Sequence, residues 1–409
     1  MTGGPGEGPL PAAEGGEGGV GQGAVAEGAA EGRVPEAAAP AAGAMGAAGG
    51  SGLPRSDAGW DAFVAANDLG SYLQTTAWAR VKAANGWRAR RVLAESAGGP
   101  VGGQVLVRPS RPLPWAFGYV PRGPVASTWS NETVAAFSEA LRRAAAGPGP
   151  SRLSHVRIDP PVERDGPADL FGALRSALGK AGWHPAPAIQ PAATRIVDLR
   201  ADEETLWGDL RSKWRQYVNR ARRSGVRVVE GDGDRLPDFY RIYRETAART
   251  GLLIRTEQAY RDVWEAFRPA GMARLLFAED PDGVPGAVLF LVRCGSRVVE
   301  PYGGMTAAGA ASRANYLLKW EAIRTARVRG ATSYDLWGLV HPGIDQFKAG
   351  FGGRDVQYVG AWDLVVRPLG YLATGLGIRA RTLYVRQVRS RLAHRDAPPP
   401  DDAPRGADA

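Results

Sequence analysis

One lysine stands between aromatic residues and glycines toward the end of the chain. The segment 345–353 reads Asp-Gln-Phe-Lys-Ala-Gly-Phe-Gly-Gly, and it follows a strand-like stretch and a turn at Gly343. A cation fixed in such a place can stabilise a developing oxyanion or bind a carboxylate. Because an ordinary surface lysine has the same local sequence, Phe347 and Lys348 become candidates only together with other segments.

A second candidate is a helix predicted over 206–223, whose apolar residues recur at helical spacing. Its six cations fall within thirteen residues that contain no acid: Arg211, Lys213, Arg215, Arg220, Arg222 and Arg223. An exposed helix usually mixes charges of both signs to gain i,i+4 ion pairs, and this one does not. We interpret the face as a contact for a nucleic-acid phosphate backbone, against the alternative of a solvated basic face.

Three further segments place polar groups where a ligand could reach them. Tyr302 ends a predicted strand and precedes two glycines, which fits either a ligand beside its hydroxyl or a core tyrosine. Asp159 follows a strand and precedes two prolines, so it is either a turn residue or a site residue. Lys82, near Trp78, and Arg255 could clamp a diphosphate, although surface side chains with buried stems look the same in sequence.

The elements that position these residues follow one plan twice. Each half shows a hairpin, a strand, a helix and another strand, in that order. The segments 118–123 and 300–304 are also weakly alike, both containing Tyr and Gly after a strand. The sequence therefore predicts two tandem α/β units, each a mixed sheet flanked by helices, with a ligand cleft between them.

Composition separates this body from its tails. Residues 1–52 carry six Glu and one Arg with no aromatic residue, which predicts a disordered tail of net charge −5. Since the whole chain has a net charge of +9, the remaining residues carry a net charge of +14, which favours a polyanionic partner. The segment 366–395 mixes arginines with apolar residues, as in helices that bind anionic membranes, or as in a helix packed on the body.

Several classes of site are not indicated. Cys294 is the only cysteine, and the four histidines have no zinc-site spacing. No P-loop, no nucleophile elbow and no run of about 20 apolar residues is present. We therefore expect a cytoplasmic protein that can touch the membrane at its surface.

Taken in chain order, the candidate segments resemble the FemABX family, in particular its compact FemX-like members without a helical arm. The resemblance covers roughly 69–366 and depends on the order and spacing of its markers. These are Gln74 to Lys82, Gly118 to Pro124, Arg157 to Pro160, Lys213 to Ala221, Arg249 to Gly251, Arg255, Tyr302 to Gly304, Tyr334 to Gly338, and Phe347-Lys348.

The resemblance implies two GNAT-like domains, aminoacyl-tRNA as donor and a muropeptide precursor, either lipid II or UDP-MurNAc-pentapeptide, as acceptor. It implies that Lys82 and Arg255 hold the diphosphate, that Tyr302 lies near the acceptor peptide and that Asp159 lies in the substrate channel. It also implies that Phe347 and Lys348 lie at the donor ester, with Lys348 stabilising the tetrahedral intermediate. Tyr260 matches a family aromatic only with a shift of one residue.

We accordingly expect transfer of an amino acid, such as Gly, Ala or Ser, to a stem-peptide amine. The ester is already activated, so no metal or cofactor is required, and Asp159 or the substrate itself could remove the amine proton. The alternatives are a non-catalytic binder of tRNA or muropeptide and a coenzyme A-dependent N-acyltransferase. The predicted divisions are a tail (1–54), two GNAT-like domains (55–197 and 198–365), the basic segment (366–395) and a second tail (396–409).

Overall fold

The computed structural model describes residues 53–110, 113–146, 152–166, 170–339 and 342–375. The elements of the first half are α1 (Asp57–Ala66), α2 (Thr76–Ala84), β1 (Arg88–Ser96), β2 (Gly99–Pro109), β3 (Trp115–Val120), β4 (Val125–Ala126), α3 (Asn131–Ala146), β5 (Arg152–Ile158), α4 (Leu170–Lys180) and β6 (Trp183–Ala186). The predicted tail and most of the segment 366–395 lie outside the described residues.

The second half continues from residue 193. Its elements are β7 (Ala193–Asp198), α5 (Glu203–Asp209), α6 (Ser212–Arg223), β8 (Arg227–Gly231), α7 (Leu236–Thr250), α8 (Glu257–Phe267), β9 (Ala273–Glu279), β10 (Pro285–Cys294), β11 (Arg297–Met305), α9 (Ala307–Ala311), α10 (Ala314–Val328), β12 (Ser333–Asp335), α11 (Pro342–Ala349), β13 (Arg354–Gln357) and β14 (Ala361–Val365). A final helical segment spans 368–375.

The strands form two sheets of seven described strands each. The first has the order β1-β2-β3-β5-β14-β6, with β4 beside β2, and the second has the order β13-β7-β12-β11-β10-β9-β8. In each sheet one described pair is parallel, β3 with β5 and β11 with β12. Each parallel pair is joined by a crossover that contains a helix, α3 or α10, which confirms the fold predicted from the repeated pattern.

The sheets do not follow the predicted domain boundaries, because they exchange strands. β7, most of which the predicted boundary assigns to the first domain, pairs between β12 and β13 of the second sheet. In return, β14 leaves the second half and pairs between β5 and β6 of the first sheet. A boundary drawn by chain position at 197/198 therefore cuts through β7, and the boundary at 365 assigns β14 to the wrong sheet.

Two other sequence predictions are affected locally. The helix predicted over 206–223 is two helices, because the backbone at Leu210 is extended and the chain turns between α5 and α6. At this turn the Arg211 N–H donates to the Gly350 carbonyl at 3.0 Å. Residues 224–235, all described, form β8 and a short 3-10 turn, so the long helical arm is absent from this span.

The two units share a hydrophobic core. Trp60, Tyr72 and Trp78 from the first half pack in one cluster with residues of α7, α8 and β10. Gly102 and Gly103 in β2 leave room for large side chains on both faces of the sheet. A Cβ at Gly102 would lie 2.9 Å from the Trp60 ring, and one at Gly103 would lie 2.8 Å from the Phe137 ring.

Candidate active site

Lys348 lies in the last turn of α11 with its ammonium group turned toward the loop after β12. It donates hydrogen bonds to the carbonyls of Trp337 and Gly338, the latter at 2.6 Å. Trp337 has a left-handed backbone, with φ of 54°, and its N–H donates to Asp335 at 2.8 Å. The buried Asp335 therefore fixes the loop whose carbonyls hold Lys348.

The surroundings weaken the proton affinity of Lys348. Burial is the main cause that lowers its pKa to about 8, and the nearby Lys319 ammonium lowers it further. Glu300, Asp335 and Asp345 oppose this by favouring the charged form. Lys348 is thus mainly a cation at neutral pH and loses its proton readily just above it.

Phe347, the neighbour of Lys348, belongs to an aromatic cluster that joins α11 to the basic helix. The rings in contact with it are Trp214, Tyr316 and Phe351, at centroid distances of 6.4, 5.3 and 5.3 Å. The Trp214 indole N–H donates to the Phe347 carbonyl at 3.1 Å. Gly350 is required beside it, because a Cβ there would lie 2.3 Å from the Trp214 ring.

The cations of the predicted nucleic-acid face on α6 are of two kinds: some bind other groups of the protein, and the others are exposed. Arg215 caps α5, donating to the carbonyls of Gly208 at 2.6 Å and Leu210 at 2.7 Å, so its charge supports the helix turn. Arg222 pairs with Glu321 at 2.8 Å. The cations left at the exposed surface of the helix are Lys213, Arg220 and Arg223.

Asp159 is buried at the end of β5, and both of its carboxylate oxygens are occupied. It accepts the Tyr119 hydroxyl at 2.7 Å and the Arg122 backbone N–H at 2.5 Å. Burial raises its pKa, while the Arg122 charge opposes the rise. No described hydrogen bond or ion pair joins Asp159 to Lys348. Because both of its carboxylate oxygens already accept hydrogen bonds, Asp159 could act as a base only after giving up one of these partners.

The residues predicted to bind the acceptor form two groups. The Lys82 ammonium lies 5.1 Å from the Trp78 ring centre and 5.5 Å from that of Trp87. The second group is Arg255, Tyr260 and Tyr302. The Arg255 N–H donates to the Tyr260 hydroxyl at 3.1 Å, and the rings of Tyr260 and Tyr302 meet at 5.1 Å.

Trp78 is better described as a core residue than as a contact for a ligand. It is 5% exposed, and its ring packs against Tyr72 at 5.8 Å. Its indole nitrogen is buried without a hydrogen-bond partner among the described residues. Its surface role is limited to the rim that carries the Lys82 ammonium.

A row of cations over aromatic rings extends from Lys82 across the first sheet. Arg108 lies over Trp87 at 5.5 Å, and Arg157 lies over Phe117 at 5.8 Å. Arg157 also holds the fully buried Asp363 of β14 through two hydrogen bonds, at 2.8 and 2.7 Å. The row therefore stacks three cationic side chains over aromatic rings, and the charge of one of them, Arg157, is balanced by Asp363.

Sequence reasoning gave no role to the residues that link these groups. A small cavity between the two units is lined by Tyr72, Arg122, Asp335, Trp337 and Tyr358, among others. The Arg122 guanidinium lies 4.2 Å from the Tyr358 ring centre, and its backbone conformation is left-handed, with φ of 49°. Arg122 and Asp335 lie within two of the family markers, and only this position in the sequence could have pointed to them.

Comparison with known proteins gives matches in both halves of the chain. Residues 56–165 match the FemAB family, and residues 208–349 match the acetyltransferase (GNAT) domain. The lipid II:glycine glycyltransferase of Staphylococcus aureus (strain MRSA252) is 30% identical over 230 residues, which are 54% of this chain and 53% of that protein. These matches support a FemABX family member.

Solved structures support the FemABX fold. The crystal structure of FemX matches with a TM-score of 0.71 at 21% identity, covering 79% of this chain and 99% of that one. A conserved protein of unknown function from Bacteroides thetaiotaomicron matches with a TM-score of 0.50 at 12% identity, covering 76% and 97%. The chain spans about half the length of the curated relatives it matches.

Proposed function

We propose that this FemABX member transfers an amino acid from aminoacyl-tRNA to the stem-peptide amine of a peptidoglycan precursor, as part of an interpeptide bridge. The observation that carries the proposal is the placement of Lys348. It is a partly desolvated cation beside Phe347, and Phe347 is bonded through Trp214 to the basic helix α6. The relatives named lipid II:glycine glycyltransferase support the same class of acceptor.

On the donor side, α6 offers exposed cations to the tRNA backbone. Lys213, Arg220 and Arg223 are exposed on this helix, while Trp214 on its other face contacts α11. A phosphate backbone bound along these cations would bring its 3′ end toward Phe347. Gly, Ala and Ser are the amino acids we propose for the ester.

On the acceptor side, Lys82 and Arg255 would hold the diphosphate of lipid II or of UDP-MurNAc-pentapeptide. Lys82 and Arg108 both lie over the Trp87 ring, and Arg157, over Phe117, is ion-paired with Asp363. Tyr302, packed against Tyr260, would contact the stem peptide. Charge-assisted hydrogen bonds to phosphate oxygens are among the strongest polar contacts available here.

The chemistry follows from the activated ester. The stem-peptide amine attacks the ester carbonyl, a C–N bond forms, and negative charge grows on the carbonyl oxygen. The Lys348 ammonium stabilises that charge in a site with little water. Collapse breaks the C–O bond, and the ribose 3′-oxygen leaves as a hydroxyl after taking up the proton that the amine loses, directly or through an acceptor. Asp159 is one candidate for accepting the proton, once it gives up the Tyr119 or Arg122 bond.

We place the reaction in the cytoplasm at the inner face of the membrane, with contact through residues 366–395. The described part of that segment is the helix 368–375, whose Leu369 and Leu372 are 76% and 62% exposed. The helix packs on Trp115 and His155 of the first sheet, near the aromatic row. No helix among the described residues is long and apolar enough to cross a bilayer.

The test uses purified protein, tRNA charged with radiolabelled amino acids, and lipid II or UDP-MurNAc-pentapeptide. We expect label to enter the muropeptide with the wild type and to fall by about 10²–10³-fold with Lys348→Met. Lys180→Met, an exposed lysine at the end of α4, is the matched control and should retain wild-type activity. No transfer from any charged tRNA to either acceptor would refute the proposal.

The match to the acetyltransferase (GNAT) domain over 208–349 favours one alternative, a coenzyme A-dependent N-acyltransferase. Thermal shift with acetyl-coenzyme A separates the two proposals. A raised melting temperature, together with acetyl transfer to a muropeptide amine, would favour the alternative.

A further inference from the structure

We propose that Lys319 is a positioning residue, which together with Glu300 sets the charge and the placement of the Lys348 ammonium. Lys319 lies on α10 and Glu300 on β11, and the sequence predicted no site role for either residue. The kinetic part of this inference rests on the proposed function, whereas its structural part does not.

The two side chains form an enclosed ion pair. Lys319 is 5% exposed and Glu300 is 7% exposed, and the ammonium donates to one carboxylate oxygen. The Tyr334 hydroxyl donates to the other oxygen at 2.8 Å. Glu300 is therefore held from two sides, by α10 and by β12.

The pair lies directly against the helix that carries Lys348. The Lys319 ammonium is 5.6 Å from the ring centre of Phe347 and 5.8 Å from that of Phe351. Cation–π attraction at these distances orients the two rings relative to the ion pair. Phe347 precedes Lys348 on α11, so these contacts tie the ion pair to the helix that carries Lys348.

Stability alone does not account for a buried ion pair. The cost of removing two charges from water often exceeds their mutual attraction, and apolar residues of similar size are frequently as stable or more so. A pair of this kind is better explained by what its charges do to a neighbour. The neighbour whose proton affinity they change is Lys348.

The charged groups that face Lys348 come from four elements. Lys319 on α10 disfavours its protonated form, and the acids that favour it are Glu300 on β11, Asp335 on β12 and Asp345 on α11. Burial contributes most to the lowered pKa of Lys348, and Lys319 contributes next. Lys319 and Glu300 thus act on Lys348 in opposite directions.

Substitutions of Lys319 and Glu300 should therefore shift the pKa of Lys348 in opposite directions. Lys319→Met removes the repelling cation and should raise the pKa of Lys348 by at least about one. Glu300→Gln leaves Lys319 uncompensated and should lower the pKa of Lys348. The double variant Lys319→Met/Glu300→Gln leaves no unpaired charge, so it should fold well and return the pKa close to the wild-type value.

The chain suits a direct measurement, because it has five lysines: Lys82, Lys180, Lys213, Lys319 and Lys348. NMR titration of protein carrying ¹³Cε-labelled lysine gives the pKa of Lys348 without donor or acceptor, with Lys348→Met assigning the signal. Arg324→Met is the matched control, since it removes a partly exposed cation from the same helix and should leave the pKa unchanged.

The kinetic part uses the aminoacyl-transfer assay. The protonated Lys348 is the active form in the proposed mechanism. The pH at which the rate falls on the alkaline side should therefore be higher in Lys319→Met and lower in Glu300→Gln than in the wild type. If both variants move the pKa in one direction, or by less than about 0.3, the inference is overturned. If the pKa moves as expected while no variant or wild type transfers an amino acid, the proposed function fails and the role of Lys319 stands.

Discussion

The indole N–H of Trp214 donates to the backbone carbonyl of Phe347 at 3.1 Å. This single bond connects the helix that carries the exposed cations to the residue beside Lys348. The rings of the two residues also meet, at 6.4 Å. We therefore expect a polyanion bound on one side of α6 to influence the candidate reaction centre on the other side.

Trp214→Phe keeps an aromatic ring and removes the hydrogen bond. A net loss of about 1 kcal/mol is typical for such a bond, so we expect KM for charged tRNA to rise roughly fivefold. KM for the muropeptide acceptor should stay unchanged, because the acceptor contacts lie elsewhere. Steady-state kinetics with each substrate varied in turn measures both, and an equal rise in both constants would contradict the coupling.

The exposed and the committed arginines of α6 should behave differently. Arg220→Ser combined with Arg223→Ser removes exposed charge, so the affinity for charged tRNA should fall and the salt dependence of binding should flatten by about one per lost phosphate contact. Thermal stability should change little. Arg215→Ser is the contrasting variant, since it uncaps α5 and should lower the melting temperature. Filter binding over a salt series and calorimetry distinguish the outcomes.

Asp363→Asn should destabilise the first sheet. Asp363 is fully buried and bonded twice to Arg157, whose side chain is only 15% exposed. Removing one partner of a buried pair costs about 3–5 kcal/mol, because the other charge stays buried. Urea unfolding measures the loss. Glu139→Gln, which breaks an exposed pair with Arg143, is the control and should change stability by less than about 1 kcal/mol.

His155 should make stability fall under mild acid. Burial lowers its pKa to about 4, so the folded protein keeps it neutral, whereas the unfolded chain takes up a proton below about pH 6.5. Stability is thus lost as pH falls from 6.5 toward 4, by about 2 kcal/mol between pH 7 and pH 5. Between pH 7 and pH 5, the His155→Gln variant should lose about 2 kcal/mol less stability than the wild type, as measured by chemical denaturation. His184→Gln, at an exposed histidine, should follow the wild type, and identical pH dependence in all three proteins would refute the assignment.

The sequence predicted the repeated plan of the fold because hairpins, amphipathic helices and turns are written in local spacing. Strand exchange is different, since β14 pairs with β5 through residues some two hundred positions apart, such as Asp363 with Arg157. Nothing in the local pattern of β14 specifies which sheet it joins. The break between α5 and α6 was missed as well, and its turn carries a bond from Arg211 to the distant Gly350.

The sequence predicted site residues where they lie within family motifs, and it did not predict the others. Phe347, Lys348, Tyr302 and Arg255 carry family markers, and their proposed roles still await experiment. No site role was predicted for Lys319 or Glu300, because a lysine within a helix and a glutamate within a strand look like solvated surface charges in sequence. Their enclosure follows only from the packing of α10 and β12 around them.

The reciprocal exchange of β7 and β14 has a consequence for how the chain can be divided. A cut in the turn between β7 and α5, at the exposed Arg200, would give two fragments. Each fragment would lack one strand of its own sheet and would hold the strand that the other sheet lacks. Neither fragment can complete its backbone hydrogen bonding alone. The protein is therefore suited to fragment complementation, in which function returns only when both pieces meet, rather than to dissection into autonomous modules.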